Sequence, residues 1–123
     1  MVRELVLVGG GHSHVQVLKS LAAEPIPGFR VTVVVDTPIA VYSGMVPGFV
    51  AGQYEMHDLE IDVQALADRA GARTVVALAT SIDSARRHVV LADEAPLPFD
   101  VASVNIGSTV AGLDLPGIRQ FAL

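Results

Sequence analysis

Short, almost wholly apolar runs alternate along the chain with breaks rich in glycine, proline and charge. Residues 4–8 read ELVLV, and three glycines end the run. Its length and branched residues predict a buried strand. Beyond the glycines, Val15, Leu18, Leu21 and Ala22 recur at helical spacing. The helix they predict ends near Glu24, because PIPG at residues 25–28 cannot continue it. Residues 29–36, FRVTVVVD, hold four valines and a threonine and close on an acid. They are the clearest strand of the sequence. Strand, glycine turn, helix, strand is the order of a right-handed parallel crossover.

Further on the pattern weakens. Residues 37–54 are rich in Gly, Pro and small side chains, which predicts a loop with at most a short helix near residues 44–51. Residues 61–71, IDVQALADRAG, predict a helix with Asp62 as N-cap and Gly71 just past its end. Residues 73–83 and 88–93 read as two strands of an antiparallel hairpin separated by SARR. Residues 99–108, FDVASVNIGS, read as another buried strand ending at a glycine, and the last fifteen residues have loop chemistry with no closing element. The expected fold is α/β: a Rossmann-like, three-layer parallel core of about three strands with crossover helices, plus a small antiparallel hairpin.

The glycine turn carries the first candidate chemistry. Gly9 and Gly11 occupy the first two positions of a G-x-G-x-x-G pattern. The first glycine permits a tight turn out of the strand, and the second removes a side chain where a pyrophosphate approaches the backbone. The helix that follows aims free N–H groups and its positive end at phosphates. Asp36 closes the next strand, where a carboxylate can accept hydrogen bonds from an adenosine ribose and would repel a 2′-phosphate. The other reading is a structural turn that binds nothing.

His14 stands where the third glycine would be. Either the helix sits further from the strand, or the imidazole points into a polar gap. His12 is read as lying beside the phosphates and His14 as a packed residue near the cofactor, both neutral, since a helix N-terminus disfavours imidazolium. Two positions apart, they share no helix face, and no metal site is expected. His57 and Asp58 are adjacent and read as solvated loop residues in preference to an acid–base pair.

Composition narrows the classes. The 123 residues suit one modest domain, and 51% of them are hydrophobic. The net charge of −5, with 8 basic and 13 acidic residues, excludes the Lys/Arg stripe of a nucleic-acid surface. With no cysteine, the chain forms no disulfide, thiolate metal site or redox Cys pair. No apolar run approaches the ~20 residues of a membrane span or the core of a signal peptide. A cytoplasmic domain is expected.

The glycine loop, the acid after VTVVV, the hairpin and FDVASVNIGS together resemble the FAD-dependent pyridine nucleotide-disulfide oxidoreductases. Members of that superfamily commonly carry Ala-Thr-Gly-Ser where this chain has Asn105-Ile106-Gly107-Ser108. GGGHSHV and YSGMVPGFVAGQY are similar to one branch, the NADH dehydrogenase-like proteins found alone or fused to selenide, water dikinase. The absent Cys pair favours that branch over disulfide chemistry.

The resemblance implies site residues. Gly9, Gly11 and His12, with Ser13 beside them, would face the FAD pyrophosphate, and Asp36 would hold the adenosine ribose. Ala79 would meet the adenine edge through its backbone. Ser43, Gly44 and Pro47 would approach the flavin side, and Ile106, Gly107 and Ser108 would close over the cofactor. Residues 1–123 would then be the N-terminal part of an FAD domain, with the rest of that domain and an NAD(P)H domain outside them. The whole protein would pass a hydride from NAD(P)H to FAD and electrons to an acceptor. It would be cytoplasmic, or peripheral to a membrane. No catalytic residue is identified in this stretch, which alone is expected to be inactive, to bind FAD weakly and to self-associate. Association with selenide, water dikinase is a further implication. The alternatives are an NAD-binding regulatory module and a structural domain that has lost its ligand.

Overall fold

The structure, a computed structural model, describes residues 1–107 and 111–121. Its architecture follows from β2 (Phe29–Val35), whose last five residues, Val31 to Val35, are all buried. A strand buried on both faces must lie inside a layered sheet. It lies between β1 (Arg3–Val8) and β5 (Arg73–Val76), and β9 (Val101–Val104) pairs with the other side of β1. All three pairings are parallel, with Arg3 opposite Phe29 and Val8 opposite both Val34 and Val104. The order β5-β2-β1-β9 confirms the Rossmann-like expectation, with four parallel strands in place of about three.

Each face of the sheet has its own core. Leu7, Val33 and Val35 pack against α1 (His12–Ala23) and α3 (Val63–Arg69), through Val15, Leu18, Leu21, Val63 and Leu66. Ala22, expected on the same stripe, is exposed. On the opposite face, Val6, Val8, Val34 and Val75 pack against Val89 and Leu91 of β7 (His88–Leu91). Asp62 caps α3 as expected: its Oδ1 accepts from the Ala65 N–H at 2.9 Å. Gly71 follows the helix with φ +67°, the left-handed position that favours glycine.

Five sequence expectations need correction. Residues 73–83 are two strands, not one. The Ala77 N–H donates to Val35 O and the Leu78 carbonyl accepts from the Ala92 N–H, so the chain steps from one sheet to another between them. β2 has ended by then and offers no further partner. The second piece, β6 (Ala79–Asp83), pairs antiparallel with β7, which pairs with β8 (Leu97–Pro98). The expected hairpin is therefore a three-stranded meander. The loop after Asp36 contains the expected short helix, α2 (Val46–Val50), but also β3 (Ile39–Val41), which pairs with β4 (Glu60–Asp62). The final stretch includes a short helical turn, α4 (Ile118–Phe121). Of the strand read over residues 99–108, the described part, 99–107, is strand only in β9.

Candidate functional site

The parallel strands end together at one rim of the sheet, and the glycine loop forms its centre. Gly9 adopts φ +98°, a conformation only glycine takes without strain, and its N–H donates to Val34 O at 2.7 Å. An added Cβ there would stand 2.6 Å from Ile106 Cα. Gly11, with φ −64°, is the N-cap of α1. Its N–H donates to Asn105 O at 3.0 Å, and an added Cβ would stand 2.6 Å from that oxygen. Both glycines are thus needed by the contact between loop and β9, quite apart from any ligand. No side chain caps α1, and its first intrahelical bond runs from Val15 N to Gly11 O at 3.1 Å. The N–H groups of His12, Ser13 and His14 precede it, the orphan donors that make a helix start an anion site.

His14 resolves the question of the missing third glycine. Its ring is buried, with Nδ1 2.7 Å from Gly9 O and Nε2 2.9 Å from Ser103 Oγ. The imidazole fills a polar gap between loop and β9. His12 is exposed and stacks on Tyr42, with ring centroids 4.8 Å apart and planes 13° from parallel.

Two clefts flank the loop. The first, of about 330 Å³, brings Gly9, Asp36, Ala79, Ile106 and Gly107 together with Ala77 and Leu78. Five of the residues singled out from the sequence thus share one hollow, though they come from separate stretches of chain. Asp36 is exposed there, and its Oδ1 accepts from the Thr37 N–H at 2.9 Å. The second cleft, of about 320 Å³, is lined by Gly11, His12, Ser43, Gly107, Tyr42 and Asn105 among others. Gly107 touches both. Asn105 Oδ1 is buried with no hydrogen-bond partner, an orphaned acceptor beside Gly11.

Not every expected residue joins these walls. Ser13 is exposed on the first turn of α1 and lines neither cleft. Gly44 lies in a 3₁₀ turn over Ser43–Met45 and Pro47 is the second residue of α2, both exposed and outside the walls. Ser108 lies outside the described residues. Tyr42, Ser103 and Asn105 were not singled out individually. Asn105 alone had a signal, since it begins the departure from Ala-Thr-Gly-Ser. A serine in mid-strand and a tyrosine in a loop carry none.

Other chemistry is excluded by position. Asp58 Oδ2 accepts from the Glu55 N–H at 2.9 Å in a capping box, and His57 is exposed beside it. Both are exposed, as read from the sequence, but they stand in a 3₁₀ turn over Met56–Leu59 and not in an irregular loop. Asp83, the last residue of β6, has its carboxyl held below the usual range by the Arg86 N–H and then the Arg86 side chain, and it lines neither cleft. Among the described residues no cluster of His, Asp or Glu could hold a metal ion. Nor is any helix there long and apolar enough to cross a membrane. A larger groove, about 830 Å³, lies between α1 and α3; it includes none of Gly9, Gly10 and Gly11 and shares His12, Val15, Tyr42 and Ile61 with the second cleft.

No family profile and no curated protein matches the chain. Solved structures do. The sulfide:quinone oxidoreductase of Aquifex aeolicus superposes with a TM-score of 0.76 at 18% identity, over 88% of this chain and 25% of that one. The CoADR-RHD of Bacillus anthracis gives 0.75 at 19% identity, over 97% and 23%. The water-forming NADH oxidase of Lactobacillus brevis gives 0.66 at 19% identity, over 91% and 28%. Two of these neighbours are named as redox enzymes, one for sulfide and quinone and the other for NADH. The chain carries a partial Rossmann-like fold of the kind they contain, and it spans about a quarter of their length. The narrower likeness to the branch fused to selenide, water dikinase has no support from these comparisons.

Proposed function

We propose that this chain holds the adenosine and pyrophosphate half of FAD in a pyridine nucleotide-dependent flavoprotein oxidoreductase. The observation that supports this best is the shared cleft of Gly9, Asp36, Ala79, Ile106 and Gly107. It opens at the carboxyl ends of β1 and β2, beside the point where the chain order of the sheet reverses between β1 and β9. Ligands of open α/β sheets bind at such switch points.

The residues fit the group. The loop shows bare backbone where phosphates approach, and the start of α1 supplies uncapped N–H donors. Asp36 has one oxygen engaged by the Thr37 N–H, and the proposal gives the other to the ribose hydroxyls. Ala79 offers its backbone to the adenine edge. His12 and Ser43 border the second cleft, which the proposal assigns to the route toward the flavin ring. Gly44 and Pro47 are retained as flavin-side residues, and Ser108 as one that closes over the cofactor, on the resemblance alone. When bound, FAD supplies hydride acceptance and onward electron transfer. The remaining contacts to the flavin, and those to NAD(P)H and to an electron acceptor, are assigned to segments outside these 123 residues.

Calorimetric titration of the chain with ADP, FAD, NAD⁺ and NADP⁺ tests this. ADP and FAD should bind with similar, micromolar or weaker affinity, because the residues here address their common half. NADP⁺ should bind least, its 2′-phosphate meeting Asp36. The absence of heat with ADP and FAD alike would remove the reading.

A further inference from the structure

His14 is the one buried side chain of the glycine loop that the cofactor reading leaves without a task. His12 and Ser13 before it are exposed, yet its ring is 2% exposed and among the largest fully buried side chains. We propose that His14 is a positioning residue: with Ser103 it locks the glycine loop to β9, so that the first N–H groups of α1 are held ready for a diphosphate. The proposal rests on the reading above.

The hydrogen bonds carry the argument. Gly9 O can only accept, so the His14 Nδ1 at 2.7 Å bears the proton. In the neutral ring Nε2 is then the acceptor, and the Ser103 hydroxyl at 2.9 Å donates to it. One tautomer is fixed by a backbone carbonyl, and both ring nitrogens are used. The link joins residues 89 apart in sequence. A third tie, Gly11 N–H to Asn105 O at 3.0 Å, closes the same gap from the other end of the loop. The loop is therefore fastened to β9 at both of its functional glycines. A glycine at position 14 would allow closer packing but would make neither side-chain bond. An apolar filler would occupy the space and leave Gly9 O without its donor. Position 14 lies in the first turn of α1, so any tilt of the ring moves the helix start itself.

NMR of the ¹⁵N-labelled chain without ligand, paired with ADP titration, tests both halves of the proposal. A protected imidazole Nδ1–H and slow exchange at the Gly11 amide are expected in the native chain. Ser103→Ala should speed exchange at Gly11 and weaken ADP binding roughly three- to tenfold, the range of one net hydrogen bond. His14→Gly should weaken it further, and adding Ser103→Ala to it should cost nothing more. His14→Asn, whose carboxamide can still donate to Gly9 O, should restore most of the affinity. Leu18→Ala is the control, since Leu18 is fully buried under the same helix and is not bonded to the loop. It should lower the melting temperature and leave ADP affinity in the folded chain unchanged. If Ser103→Ala and His14→Gly bind ADP as tightly as the native chain, with Gly11 exchange unaltered, His14 is a space-filling residue and the proposal fails. If the native chain shows the protected imidazole proton but binds no adenine nucleotide, the clamp stands, and its purpose and the cofactor reading fall together.

Discussion

Gly11→Ala separates two reasons for a glycine in this loop. Gly11 has φ −64° and ψ 166°, open to any residue, so nothing in its backbone requires glycine. The requirement is space. A Cβ would sit 2.6 Å from Asn105 O, where ordinary contacts begin near 3.4 Å. Loop and β9 must part by nearly that difference, and the Gly11 N–H to Asn105 O bond, already 3.0 Å, stretches out of range. The lost bond is worth about 1 kcal/mol net. Overpacking adds about 1–3 kcal/mol. Urea denaturation should therefore show a loss of about 2–4 kcal/mol before any ligand is added. Adding Asn105→Ala should recover only part of it, because the backbone oxygen stays. An unchanged denaturation midpoint in Gly11→Ala would show that the loop does not lean on β9, and would refute the reasoning.

Asp36→Ala should weaken ADP and FAD binding by about one to two decades, the loss of hydrogen bonds to a charged acceptor; a calorimetric titration that shows no change demotes Asp36 to a strand-end acid. Asp83, held below its ordinary value of 3.8 chiefly by the Arg86 N–H, should tie down the β6–β7 turn above that pH. The tie is lost as pH falls through the lowered folded value, so a carboxyl titration followed by NMR should have its midpoint below 3.8 in the native chain and nearer to it after denaturation. Val101, Val104 and Ile106 leave apolar surface along the outer edge of β9, and light scattering at rising concentration should show self-association that Val104→Lys reduces. A strict monomer at all concentrations would contradict that expectation.

The parallel core was legible because its strands are bounded by strong signals. Glycines follow β1, Asp36 follows β2, and Asp62 and Gly71 bracket α3. Where one apolar run serves two sheets, as at residues 73–83, nothing local marks the step, since it depends on where β2 stops. Strands β3 and β4 have three residues each, too few for a period, and each is stabilised by a partner far along the chain. In the candidate site, Gly9 and Asp36 could be named from the strand, glycine turn, helix, strand pattern, whereas Ala79 was named only through the family resemblance. The bonds of His14 could not, because Ser103 gives no sign of its partner until β9 lies beside β1. The place of Asn105 against Gly11 was hidden for the same reason.

The peptide of Asn105 is bonded on both sides: its N–H donates to Val8 O and its carbonyl accepts from Gly11 N. The loop written at residues 9–11 therefore takes its shape from a strand that leaves the ribosome nearly a hundred residues later. Until β9 docks, β1 and α1 can pair with their neighbours, but the glycine turn has no backstop and His14 has no hydroxyl to meet. Closing so long a span comes late in folding, after the local helices and the β1–β2 crossover. Any break in synthesis before residue 105 yields a chain with its glycine turn spelled out and its backstop unmade, so the Gly11 N–H to Asn105 O bond times the arrival of β9.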